Sequence, residues 1–171
     1  MKAYYIIKIF FFCAILFLYS CEDNSLKQTS LITVKGEATT RASSTDKGDI
    51  ASDISPVVFT GNDISWFDLN TGEIKFNKSF EPDDLKVFQK VHFYLREKQL
   101  FTVSTYVRPF HSFASNDLVL YVETNGKCYL HDCYPLSIME TIPTVKENKE
   151  KRAVAWKQFI DQLEKERKIK K

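Results

Sequence analysis

The distribution of short β-rich runs and one long amphipathic run predicts an α+β domain. It reads as an antiparallel β-meander of about six short strands, with a C-terminal amphipathic helix packed on one face. Three observations carry this. Apolar and polar residues alternate with period two in several runs between residues 57 and 132. Asn125-Gly126 stands between two such runs, the strongest short hairpin signal. From Thr144 onward, apolar residues recur at spacings of three and four.

Taken in order, the chain opens with Lys2 and Lys8 and an unbroken apolar run, Ile9 to Tyr19, before Ser20 and Cys21. A charged start, an apolar stretch of that length and a small residue at the cut describe a secretory signal peptide over residues 1–20. The run is short of the roughly 20 residues of a membrane span. Leu18-Tyr19-Ser20-Cys21 resembles the lipobox of bacterial lipoproteins, although Tyr19 stands where a small residue is usual. That resemblance implies a diacylated Cys21 as the new N-terminus, and two acyl chains suffice for stable anchoring. Glu22 and Asp23 resemble the acidic surface-export signal of Bacteroides-type lipoproteins.

Residues 21–55 are dominated by Ser, Thr, Asp and Lys, interrupted by Leu31-Ile32-Thr33-Val34. So little apolar surface does not offset the entropy of ordering, and the segment reads as a lipidated flexible tether, with a short strand at 31–34 as the alternative. A coil of about 34 residues reaches roughly 30 Å. The folded domain is then expected over 56–171.

Within it, Val57–Thr60 and Ile64–Asp68 are strand-like, and Asn70-Thr71-Gly72 turns the chain into Glu73–Phe76. The glycine fits a type I turn closed by a left-handed residue, since it reaches positive φ without a Cβ clash. Glu81–Leu85 reads as one helical turn, with Pro82 near its start. Val91–Leu95 and Leu100–Val107 flank a turn at Arg96–Lys98, and a loop from Arg108 to Ser115 carries Phe110 and Phe113. Across Asn125-Gly126 a two-residue type I′ turn would pair Val122 with Tyr129, Tyr121 with Leu130 and Leu120 with His131. Thr144 and Glu147 have capping-box spacing. Ala153, Trp156, Phe159, Ile160 and Leu163 form the helix's apolar stripe, and the lysines of 165–171 suit its C-terminal dipole.

Charge excludes one partner class. Taking Lys2 and Lys8 from the 24 basic residues leaves 22, equal to the 22 acidic ones. A neutral mature chain carries no electrostatic footprint for nucleic acid.

No familiar catalytic signature is present: no nucleophile elbow, zinc-protease helix, phosphate-cradling glycine loop or dinucleotide fingerprint. Cys128, His131, Asp132 and Cys133 cluster in sequence, but a strand alternates them across two faces, which opposes a tetrahedral metal site or a Cys–His pair. A Cys128–Cys133 disulfide is opposed by the same geometry, because five strand positions span about 16 Å and a bridge needs Cα atoms within about 7 Å. No catalytic residue, metal or cofactor is therefore assigned. Trp66, Phe110 and Phe113 are the candidate ligand-facing aromatics, set against ordinary core packing.

Several strings together resemble small lipoproteins of Bacteroides-type bacteria: Phe59–Phe67, Thr71–Phe76, Asn116–Tyr121, Tyr129–Pro135 and Arg152–Ile160. The resemblance implies an uncharacterised envelope family, lipid-anchored at the outer membrane or cell surface, with no catalytic residues to transfer. The functional expectation is a non-catalytic binding or accessory module for a glycan or an envelope protein. The alternatives are a hydrolase or inhibitor-like protein acting on extracellular polymers, and a structural envelope component. A cleft with two convergent acids would favour the hydrolase, and an aromatic face without paired acids the binding module.

Overall fold

A computed structural model describes residues 29–38, 55–107 and 113–170. Among the described residues, eight strands form one sheet: β1 (Ile32–Ala38), β2 (Val57–Thr60), β3 (Ile64–Phe67), β4 (Glu73–Phe76), β5 (Phe88–Leu95), β6 (Lys98–Val107), β7 (Val119–Val122) and β8 (Cys128–His131). A short helix α1 (Leu136–Met139) and a long helix α2 (Pro143–Lys165) follow. The protein is thus α+β, with more strands than expected.

The strand order is β2-β1-β5-β6-β7-β8-β4-β3, and the two outermost strands are joined only by the 3-10 turn Gly61–Asp63. Both edges of the sheet are therefore brought together, and it curls nearly closed. Phe59 of β2 meets Phe76 of β4 edge to face, with ring centroids 5.0 Å apart. All neighbouring strands are antiparallel except β6 and β7, which run parallel from Ser104 beside Val119 to Val107 beside Val122. The simple meander is corrected by this pair, because β7 runs in the same direction as β6 and not back against it.

A larger correction concerns the start of the folded region. β1 lies inside the segment read as tether, yet it pairs with both β2 and β5. Ile32 and Val34 are fully buried. Composition averaged over 21–55 hid one alternating run whose Ile32 and Val34 face the core. The remaining tether positions, 21–28 and 39–54, lie outside the described residues, as do the signal peptide and Cys21.

α2 fills the concave side of the sheet. Phe159 is fully buried, with its ring 5.6 Å from Phe93, 5.6 Å from Phe101 and 6.0 Å from Phe67. Leu163 is buried beside it, whereas Ala153 is exposed and Arg152 is buried in its place. The capping box is not formed: Pro143 occupies the first turn and Ile142 is the N-cap, so Thr144 sits inside the helix. The lysine-rich end is not a solvated helix terminus either. The helix stops at Lys165, Arg167 turns with φ of 57°, and Ile169 forms a parallel bridge with Phe67 of β3. Phe67 N donates to Lys168 O at 2.7 Å, and Lys170 N donates to Phe67 O at 2.9 Å. The tail thereby covers the edge of β3.

The β7–β8 turn also differs from expectation. Val122 pairs with Cys128, Tyr121 with Tyr129 and Leu120 with Leu130, a register shifted by one residue. Gly126 N donates to Glu123 O at 2.9 Å and Glu123 N to Lys127 O at 2.8 Å, enclosing a three-residue loop. A type I′ turn needs positive φ at both Asn125 and Gly126. Only Gly126 adopts it, at 79°. The loop is therefore a type I turn ending in a left-handed glycine. Asn125 Oδ1 accepts from Lys127 N at 2.8 Å instead of turning left-handed.

Candidate functional site: an aromatic strip and an adjoining cleft

Because α2 occupies the concave side, the convex face of β6, β7 and β8 is covered, among the described residues, by side chains alone. Strand alternation sends Leu120, Val122, Cys128 and Leu130 inward and Tyr121, Tyr129 and His131 outward. Tyr106, Tyr121 and Tyr129 are direct cross-strand neighbours on three adjacent strands. They form a strip with Phe113 and Tyr134. Phe113 packs tilted against Tyr106 at 3.4 Å and stacks on Tyr134 at 5.6 Å. Tyr134 meets Tyr121 at 5.0 Å, and Tyr121 stacks on Tyr129 at 5.2 Å. All five rings are half-buried. They lie over a small second core, since Val119 and Cys133 are buried outside the main cluster. Burial of the Tyr121 phenol, with the Glu123 carboxylate near it, raises its pKa, and Tyr129 is raised for the same reasons. Both phenols stay neutral at physiological pH and can donate as well as accept.

His131 closes one end of the strip, 5.3 Å from the Tyr121 ring and 5.6 Å from Tyr129. Its Nε2 lies 2.6 Å from Thr71 O. A carbonyl only accepts, so Nε2 carries the proton, and in the neutral ring Nδ1 is left to accept from the Tyr121 hydroxyl at 3.4 Å. Gly72, with φ of 70°, makes this approach possible, since a Cβ there would lie 2.5 Å from the His131 ring. The Asn70-Thr71-Gly72 turn closes through a left-handed glycine as its spacing predicts.

Past His131 the surface drops into a cleft of about 400 Å³. The β3–β4 turn, the end of β8, α1 and one stripe of α2 enclose it. Its apolar wall includes Leu69, Leu136 and Trp156, and its polar wall Asp132, Lys149 and Arg152. Lys149, Arg152 and Trp156 share a helix face by their spacing of three and four. Arg152, only 9 % exposed, ties two segments together: Nη1 donates to Asp117 Oδ1 and Nη2 to Asp132 Oδ1, both at 2.6 Å. Lys149 Nζ reaches Asp132 Oδ2 at 2.8 Å. Burial would raise the pKa of Asp132, but the bonds from Lys149 and Arg152 outweigh it and hold the carboxyl below its ordinary range. It is a fixed anion and not an acid poised to give up a proton.

Of the three candidate aromatics, Phe113 belongs to the strip, and Phe110 lies outside the described residues. Trp66 is elsewhere, opposite Lys75 on β3 and β4, with Lys170 Nζ 4.5 Å above its ring. Tyr121, Tyr129, Tyr134 and Arg152 were missed. The tyrosines were legible in principle as outward positions of an alternating hairpin, but the register expected there put Tyr129 opposite Val122 and Tyr121 opposite Leu130, and so hid the row. Cys128 and Cys133 are free and buried. Burial raises both thiol pKa values. Among the described residues, no group of three or more His, Cys, Asp or Glu side chains is placed to hold a metal ion. In the 128–133 run, Cys128 joins the core, His131 bonds the Thr71 carbonyl and Asp132 is ion-paired.

No family model, curated protein or solved structure matches this chain.

Proposed function

We propose that this protein is a lipid-anchored, non-catalytic binding module of a bacterial envelope or cell surface, and that it holds a glycan against the strip of Tyr106, Phe113, Tyr134, Tyr121 and Tyr129. The strip carries the reading: five aromatic rings are contiguous across a sheet face that the helix does not cover. Aromatic faces accept the C–H face of a sugar while neutral phenols exchange hydrogen bonds with its hydroxyls. Glycoside hydrolysis instead needs two carboxyl groups held in different protonation states. Among the described residues, Asp132 is the one carboxylate lining the cleft, and its neighbours keep it ionised.

Anchoring rests on the lipobox-like Leu18-Tyr19-Ser20-Cys21 of the sequence. Ser30 Oγ donates to Glu166 Oε1 at 2.7 Å, so the chain joins the fold just past the C-terminal end of α2. Lys149 is 17 residues earlier on the helix, about 25 Å away at its rise per residue. Ser30 and Lys149 therefore sit toward opposite ends of α2. The outer-membrane or cell-surface location follows from the lipoprotein resemblance.

Two measurements test the reading. Palmitate incorporation into the full chain is expected to vanish in Cys21→Ala, and label retained in that variant refutes the anchor. A glycan array probed with the full chain, and with Tyr121→Ala and Tyr129→Ala, is expected to show binding that either substitution weakens. Binding indifferent to both removes the strip. No binding at all favours a structural envelope component.

A further inference from the structure

We infer that the cleft beside the strip is a subsite for one uncharged pyranose unit of the bound glycan, seated against Trp156. The inference rests on the glycan reading above and specifies the kind of sugar unit that the cleft takes. Charge comes first. Lys149 pairs with Asp132, and Arg152 with Asp117 and Asp132, so two cations meet two carboxylates and no net charge is left to draw an ion. What remains unspent is hydrogen-bonding capacity. Asp132 accepts one bond on each oxygen, from Arg152 and from Lys149, and keeps a lone pair on both. Among the described residues nothing accepts from the Trp156 indole N–H, and that nitrogen is not enclosed by protein. The side-chain amide of Asn70, on the β3–β4 turn, has no described partner either. Donors and acceptors side by side suit hydroxyl groups, which do both.

Shape agrees. The Trp156 ring is braced from the core by Phe67, Phe101 and Phe159, with centroids 6.1, 5.8 and 5.7 Å away. With Leu69 and Leu136 it offers a fixed apolar wall to the C–H face of a sugar ring. Leu69 and Leu136 are 49 % and 41 % exposed, and such a ring would cover them. A volume of about 400 Å³ lies toward the low end of small-ligand sites, roughly 300–1,000 Å³, which suits a single ring better than a length of chain. His131 packs on Tyr121 and Tyr129 and also lines the cleft, so a glycan lying along the tyrosines reaches it without a break.

The test uses the full-length protein in detergent micelles, titrated by calorimetry with neutral cello-, manno-, xylo- and malto-hexasaccharides. Trp66 and Trp156 are the two tryptophans of the chain, and a Trp66→Phe variant assigns their indole N–H signals in NMR spectra. A hexasaccharide that binds is expected to move the Trp156 indole signal and leave that of Trp66 in place. Trp156→Phe keeps an apolar ring but loses the N–H, and is expected to weaken binding about fivefold, the scale of one neutral hydrogen bond. Asn70→Ala, which removes an exposed side chain outside the core, is expected to weaken it by a similar factor. An oligogalacturonate is expected to bind no tighter than its carboxyl-reduced counterpart. Tighter binding of the uronate overturns the uncharged class. Binding that Tyr129→Ala weakens, with the Trp156 signal unmoved and Asn70→Ala at full affinity, overturns the cleft subsite and leaves the strip standing. Failure of every hexasaccharide to bind overturns both.

Discussion

Arg152 is the residue on which the region between α2 and β8 most depends. Its helix position was legible only as part of a charged run, and nothing in its spacing marks it as buried between Asp117 and Asp132. Removing one partner of a buried ion pair costs about 3–5 kcal/mol, because the other charge is left without compensation. Here Asp117 is 56 % and Asp132 27 % exposed, so water screens much of that loss. Arg152→Met is therefore expected to destabilise the protein by about 2 kcal/mol, read as a lower urea midpoint at unchanged slope. A shift no larger than that of Lys151→Met would show that the pairs contribute nothing. The cysteines permit a second test at this scale. The thiolate is the nucleophile, and Cys128 and Cys133 are almost fully buried with their pKa values raised by that burial. Iodoacetamide at pH 8 should leave the peptide carrying both unmodified in the folded protein and alkylate both in urea, by mass spectrometry. Labelling of either at the same rate in both states would contradict the burial.

Element by element, legibility followed how local the governing interactions are. The β3–β4 turn and the β5–β6 hairpin depend on a few adjacent residues and fall where their turn residues place them. The β7–β8 loop shows the limit, because Asn-Gly fits either of two loops that differ by one residue. The choice is made by packing: the observed register sets Leu120 against Leu130 and Val122 against Cys128 inside the core, and leaves the tyrosines paired outside. The two turn glycines predict different sensitivities. At Gly126 an added Cβ would meet no atom within 4 Å, so Gly126→Ala costs only its left-handed backbone, about 1 kcal/mol. Gly72→Ala adds a clash with His131 and the Leu130 carbonyl, and is expected to cost clearly more and to move His131 in NMR spectra. Equal losses at the two sites would mean that the His131 contact yields freely. β1 was legible only as the lesser alternative of a short strand at 31–34, since its partners are distant in sequence. Deleting residues 1–55 should abolish cooperative unfolding by circular dichroism, while deletion of 1–28 should preserve it.

At the scale of the molecule, the α+β class was legible and the near closure of the sheet was not. Closure depends on β1 standing between β2 and β5, and on a tail that sequence patterning assigns to the end of a helix. That tail fastens the join between the sheet's edges. Lys168 Nζ donates to Gly61 O and pairs with Glu166 at 2.9 Å, while Lys170 pairs with Asp68 at 3.1 Å. Burial opposes ionisation at Glu166 and Asp63, but their hydrogen bonds, with help from Lys168, outweigh it and lower both pKa values. At Asp68 the Lys170 bond is the leading cause of the same lowering. Carboxylates with depressed pKa values contribute stability that is fully present above their unfolded values, about pH 4, and is lost as pH falls through the folded ones. Acid should therefore loosen the join, with exchange protection at the Phe67 and Lys170 amides falling below about pH 4 as stability declines. A chain ending at Lys165 should start less stable at pH 7 and lose less on acidification, because Glu166 is gone and Asp63 and Asp68 have lost their tail partners. If both chains show the same fall in unfolding free energy between about pH 5 and about pH 2.5, the tail's ion pairs do not hold the sheet closed.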